Sequence, residues 1–462
     1  MKVSLSHGSE LTPLLLTFLI CLLILLLPVP QVGGAAPWYW TLGGVTLLNA
    51  LYVGACWAGA WRAGKLAARG GRLDRLRAVR LFGLLNVVIV CLVAAQVYPL
   101  GWVQLVEHLS ERLPWLLGAG VLVLLTPLLL MAVAALIFRY RFEREHGQMR
   151  LSLVRYLSLR FRVEVAIILV PLVVLAVVSD LSDNLWAGSG HKGAIDAGVS
   201  VAFVLGVLLL GPSVLKVLWR ARSLPAGPLR TRLEALARSL KFRCSDILVW
   251  HTYGFMANAC VIGFLPRVRY VMMTDALLAH LEEDEIEAVF AHEVGHARRH
   301  HFAFYLLFAL AFTCFYLNGL DLMRWAGLEA APGERLAGGQ GLAEAVAMVV
   351  LAVAYWWLVF GWLSRRHELQ ADVFALRSCR RPEAFIDALD RLTLLTGAPR
   401  QAGSWRHFSV ARRKAFLSRV LKAPELGRRL DRSLGRLQAM VAVLLIVGGM
   451  RLLLFHPELL GL

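Results

Sequence analysis

Ala291-His292-Glu293-Val294-Gly295-His296 decides how the rest of the chain is read. Two histidines four residues apart on a helix share a face and can share a Zn²⁺ ion. The glutamate between them, Glu293, lies beside the metal and is placed to take a proton from its water. The residues before the motif favour a helix. Asp284 and Glu287 make an Asp-x-x-Glu capping box, acidic residues fill the first turn, and Arg298, Arg299 and His300 occupy the last.

A catalytic zinc takes three protein ligands and keeps one position open. The best downstream donor is Glu368, in Ser364-Arg365-Arg366-His367-Glu368-Leu369-Gln370-Ala371-Asp372. Asp372 follows one helical turn later, placed to accept from a ligand histidine's other ring nitrogen and fix its tautomer. His300 and His301 adjoin the motif, but their spacing from His296 points at least one of them away from the metal, and both are left out of the ligand set. His251 and His280 have no partner pattern.

These motifs resemble the integral-membrane gluzincins that include the type I CAAX prenyl endopeptidases and the HtpX-like proteases. The likeness runs from about residue 223 to 420. It takes in Asn258-Ala259, the run Arg269 to Leu278 before the active helix, and His407 with Arg413. The resemblance implies that His407 is the oxyanion donor, that Arg413 positions the site or pairs with Asp372, and that Asn258 and Ala259 hold substrate. The family's usual proline after that histidine is Phe408 here.

Composition places this site in a membrane protein. Hydrophobic residues make up 58% of the chain and mean hydropathy is +0.63, against roughly 45–50% apolar in soluble domains. Apolar windows predict nine spans, approximately Leu11 to Pro28, Trp38 to Trp61, Leu81 to Trp102, Trp115 to Phe138, Val163 to Val178, Ala194 to Trp219, Phe302 to Leu320, Leu342 to Leu363 and Leu437 to Phe455. The first is read as a span rather than a signal peptide, although Gly34-Ala35-Ala36 offers a small-residue site.

Residues 62 to 80 hold seven Lys/Arg and residues 139 to 162 hold seven Arg, while the alternate loops hold none to two. The positive-inside rule therefore puts the amino terminus and the catalytic segments in the cytoplasm, and the carboxyl terminus outside. Much of the net charge of +18 lies in loops flanking spans and on the cytoplasmic segments, where anionic headgroups are the natural partner. With no accompanying motif, it does not point to nucleic acid. Seven scattered cysteines lack metal-type spacing.

After the sixth span, Leu224-Pro225-Ala226-Gly227-Pro228 reads as a linker. An amphipathic helix follows with Leu229, Leu233, Leu236 and Leu240 on one side, then strand-like runs at Ile247 to Trp250, Phe255 to Phe264 and Val268 to Met273. The last two form a hairpin turning at Leu265-Pro266-Arg267, and Phe255 to Phe264 offers an edge on which a peptide could lie.

His296 and Glu368 lie 72 residues apart with two predicted spans between them. An even number of crossings is what brings both to one metal. The expected architecture is a mainly α-helical polytopic membrane protein with about nine transmembrane helices and a small α+β zincin-type catalytic domain. Its parts are a membrane region at 1–219, catalytic segments at 220–301 and 365–433 flanking a transmembrane hairpin at 302–364, and a final span with the carboxyl terminus at 434–462. The expected function is a zinc endopeptidase holding one Zn²⁺ per chain, with the lipid bilayer and a membrane-associated polypeptide as partners. The alternative is an inactive membrane scaffold. Glu293 discriminates, because a scaffold has no use for a general base.

Overall fold

Apolar helices of bilayer length and a small four-stranded sheet are both present in the computed structural model, which describes residues 13–26, 37–67, 72–112, 117–145, 151–254, 256–325, 350–396, 403 and 406–455. The chain divides into two compact units, one of Leu11–Val207 and the other containing Leu208–Leu462.

The first unit is helical: α1 (Pro13–Leu26), α2 (Trp38–Ala67), α3 (Arg72–Val97), α4 (Trp102–Arg112), α5 (Ala119–Glu145) and α6 (Leu153–Trp186), the last with a π-turn at Phe161–Val165. Phe18, Tyr52, Ile89, Leu125, Met131 and Phe138 form its core. The expected third span is bent by 60° between α3 and α4. Pro99 cannot continue a helix ladder and Gly101 takes a left-handed φ of +64°, so the chain turns there.

Among the described residues, six helices are long and apolar enough to cross a membrane, and the bent α3–α4 pair makes a seventh if counted as one span. Sequence reading expects nine. The two others lie at the first and eighth positions: α1 has 14 described residues, and the predicted Leu342 to Leu363 span begins outside the described residues.

The second unit begins with α7 (Lys192–Leu218), whose sequence crosses into it, and then alternates strands and helices. Strands β1 (Arg222–Ser223), β2 (Asp246–Trp250), β3 (Ala259–Ile262) and β4 (Tyr270–Thr274) form one sheet in the order β1-β2-β4-β3. Strand β2 runs parallel to β4, with Ile247 beside Val271, and β3 runs antiparallel to β4, with Ala259 beside Met273. Side chains alternate across the sheet. Ile247, Val249, Val271 and Met273 face one core, and Leu248, Tyr270 and Met272 face another.

The expected hairpin is present, but its first strand is shorter than the run Phe255 to Phe264. Gly263 ends it at φ +98°, where a Cβ would meet the Val268 carbonyl oxygen at 2.3 Å. Phe255 lies outside the described residues. Strand β1 falls between the sixth expected span and the linker at Leu224–Pro228, where the sequence suggests no element, and is too short to carry an alternating pattern.

Helix α8 (Pro228–Ser239) starts at proline and packs Leu229, Leu233 and Leu236 against the first of these cores, as its pattern predicts. Next come α9 (Asp275–His280) and α10 (Glu283–Arg298), which carries the His-Glu-x-x-His motif. They are followed by α11 (His301–Trp325), α12 (Gly361–Ser378), α13 (Glu383–Thr396), α14 (Val410–Lys422) and α15 (Glu425–Phe455).

The capping box of α10 differs from the expected one, since it joins Glu282 and Glu285. Asp284 and Glu287 are taken by Arg232 of α8, at 2.6 and 2.5 Å. Only Leu281 and Glu282 separate α9 from α10, and Glu282 has the extended backbone that a cap requires.

Candidate metal centre

One turn of α10 puts His292 and His296 on the same face, where their Nε2 atoms lie 3.2 Å apart. Helix α12 brings Glu368 to both: Oε2 is 3.7 Å from His292 Nε2 and Oε1 is 3.6 Å from His296 Nε2. The close approach of the two helices follows from Gly295, where an added Cβ would sit 3.1 Å from Phe374 Cβ. His292 and Glu368 are buried and His296 is half-buried.

The donor set fits a metal. Two ligand atoms about 2.0–2.1 Å from one tetrahedral ion lie roughly 3.3 Å apart, close to the separations here. Burial, the largest influence on His296, pushes its pKa down to about 3 and leaves the ring neutral, as a ligand must be. Glu368 is held well below the usual carboxylate range. Burial opposes this, and the imidazoles of His407, His296 and His292 outweigh it.

Asp372 is fully buried with its carboxylate 3.0 Å from His292 Nδ1. Burial lowers the pKa of His292, but Asp372 overcomes that and raises it, making the ring a stronger donor. Arg413 of α14 holds the other side of Asp372 in a bidentate pair, Nε to Oδ2 at 2.8 Å and Nη2 to Oδ1 at 2.5 Å. Of the two roles implied for Arg413, the geometry displays pairing with Asp372.

Glu293 faces a cleft of about 560 Å³ that also contains Asn258, Ala259, His292, His296, Glu368 and His407. Burial pushes its pKa up to about 7, with Glu368 adding to the rise and His292 opposing it. The Val261 backbone N–H donates to its carboxylate. His407 Nε2 approaches Glu368 Oε1 at 3.3 Å, so it adjoins the ligand set from the α14 side.

Strand β3 is the sheet's edge. Asn258 receives the Thr274 N–H on its carbonyl, so by alternation the backbone groups of Ala259 and Val261 face the open side. The Ala259 N–H is covered by the Asn258 side-chain oxygen at 3.0 Å. All nine residues singled out from the sequence therefore gather around one cleft, Asp372 by way of His292 and Arg413.

His301 is the residue that spacing missed. It is buried, and its Nδ1 lies 2.9 Å from Nδ1 of His296. A left-handed turn at His300, φ +57°, separates α10 from α11 and swings His301 back. The available signal was the predicted helix end at His300 just before a span beginning at Phe302, because a turn between them voids a rule based on helical spacing.

A histidine–histidine–glutamate cluster beside a small sheet, in a chain with membrane-length apolar helices, is the arrangement of an integral-membrane gluzincin metalloprotease. The chain belongs to Peptidase family M48, which matches residues 223–459. It is 29% identical over 219 residues to a Protease HtpX homolog of Aeropyrum pernix, covering 45% of this chain and 67% of that protein. It is 34% identical over 163 residues to a CAAX prenyl protease 1 homolog of Arabidopsis thaliana, covering 33% of this chain and 37% of that one. Its fold is similar to that of the crystal structure of S. mikatae Ste24p, with a TM-score of 0.51, 18% identity, and coverage of 83% of this chain and 100% of that chain.

If the cluster holds a zinc ion, Glu368→Ala should lose most of it. Glu293→Gln should keep the zinc and lose only turnover. Elemental analysis of both purified variants checks this, and full occupancy with normal cleavage in Glu368→Ala would remove Glu368 from the ligand set.

Proposed function

We propose that the protein is a zinc-dependent endopeptidase acting on membrane-associated polypeptides, prenylated or unfolded, at the cytoplasmic face of its membrane. The observation that carries this reading is the convergence of His292, His296 and Glu368 on one point, with Glu293 in the same cleft as an edge strand. A zinc ion held by the three, one per chain, would polarise the scissile carbonyl and lower the pKa of its water to about 7.

The remaining work belongs to side chains. Glu293 takes the proton of the attacking water and delivers it to the leaving amine. His407, beside Glu368, donates to the oxyanion that develops on the carbonyl. Arg413 fixes Asp372, and Asp372 fixes His292. Purified protein incubated with a prenylated peptide, and separately with an unfolded membrane protein, should cleave at least one of them. Chelator and Glu293→Gln should each abolish that cleavage. Failure of the zinc-loaded protein to cut either substrate would count against the reading.

An extended substrate pairs its backbone with the open side of β3, where main-chain hydrogen bonds tolerate varied side chains. Ala259 is small enough for a second backbone to approach, and the Asn258 amide can turn from the Ala259 N–H to the substrate. Ala259→Pro should cut the cleavage rate steeply with little change in zinc content or melting temperature. An unchanged rate would place the substrate away from this edge.

Orientation follows from the basic loops at 62–80 and 139–162. On this reading nine spans leave 220–301 and 365–433 inside, with 302–364 crossing and returning between them. In a background without reactive native cysteines, a cysteine placed within 326–340, outside the described residues, should label from outside intact cells. Arg380→Cys should not. The reverse pattern would invert the topology, and labelling of both would abolish the hairpin.

A further inference from the structure

The second histidine of the motif is backed by a chain of its own, made of three residues on three helices. His296 Nδ1 meets His301 Nδ1 at 2.9 Å, and His301 Nε2 meets Gln370 Oε1 of α12 at 2.8 Å. Gln370 Nε2 then donates to Asp431 Oδ1 of α15 at 2.9 Å. Asp431 Oδ2 receives Arg299 and Arg377, each at 3.1 Å.

Asp431 sets the direction of every bond in this chain. Its carboxylate only accepts, so the Gln370 amide must turn its NH₂ toward Asp431 and its oxygen toward His301. That oxygen also only accepts, so His301 carries its proton on Nε2 and leaves Nδ1 bare. A bare Nδ1 at 2.9 Å requires His296 to carry its own proton on Nδ1. The remaining lone pair of His296 is then on Nε2, the atom facing His292 and Glu368.

We propose that His301 is a positioning residue for the metal: with Gln370 and Asp431 it holds His296 in the tautomer and rotation that present Nε2 to the ion. The proposal rests on the zinc reading above. It gives His296 what Asp372 gives His292, by relay instead of direct contact. His301 also stacks on His367, ring centroids 4.1 Å apart and planes 6° apart, which fixes the ring from its flat side.

The test is the zinc dissociation constant of the full-length protein, measured by competition with a chelator of known affinity. His301→Phe keeps a ring against His367 but removes the acceptor, and should weaken zinc binding about ten- to a hundredfold. His301→Asn returns an acceptor at the position of Nδ1 and should recover a large part of the loss. Gln370→Met cuts the relay while keeping volume. Combined with His301→Phe it should add little, because both break one chain.

Melting of the zinc-stripped proteins separates packing from positioning, since a relay loss should leave it near that of the parent. Parent-like affinity in His301→Phe would overturn the proposal, as would His301→Asn binding no better than the Phe variant. If His301→Phe does not fold, Gln370→Met with parent-like affinity overturns it equally. A parent protein whose zinc binding is untouched by Glu368→Ala would instead defeat the metal centre itself, which keeps the two failures apart.

Discussion

The centre depends on how closely α10 and α12 approach each other at Gly295. A glycine inside a helix costs about 1 kcal/mol relative to alanine, and here it makes room for Phe374. With a methyl group in that place, the helices would have to part by the few tenths of an ångström that separate a contact at 3.1 Å from an ordinary one. Glu368 would then move away from both imidazoles together. The same pair of helices is fastened at Asp372, where a buried carboxylate joins His292 to Arg413. Removing one member of such a pair leaves an uncompensated charge at a cost of roughly 3–5 kcal/mol. Arg413 therefore supports the metal centre through stability as well as through His292.

The parts of this site that were legible in the sequence are those set by distance along one helix. His292 and His296 share a face because four residues make just over one helical turn, and Glu368 and Asp372 do so for the same reason. The apolar stripe of α8 was legible on the same ground. The cap of α10 lies two residues before the expected one because Asp284 and Glu287, which have the chemistry of a cap, are claimed by Arg232, 52 and 55 positions earlier in the chain. Sequence gives no measure of such a competitor. Likewise β1 has two residues and exists because β2 is there to pair with.

His301 and Asp431 were illegible for different reasons. Five residues on an unbroken helix rotate a side chain about 140° away from its starting direction. His301 reaches His296 because the left-handed residue His300 breaks the helix between them. Asp431 stands 135 positions from His296 and touches it through two intermediates. No spacing rule connects them, and its neighbours in sequence make it look like one acidic residue on a basic helix.

The two imidazoles solve one problem in two ways, and their surroundings explain the difference. His292 has a carboxylate directly behind it because Arg413 can follow that charge into the interior. Behind His296 lies the first turn of α11, an apolar helix of membrane length, with Phe304 and Tyr305 against His367. A carboxylate placed there without a guanidinium partner would cost several kcal/mol in lost solvation. Neutral groups occupy the interior instead, and the negative charge is deferred to Asp431, whose side chain keeps 18% of its exposure and two arginine partners. Because Asp431 lies on the helix that continues to Phe455, the last apolar segment described is joined by hydrogen bonds to the orientation of a candidate metal ligand. Displacing that helix would reach His296 before it disturbed His292.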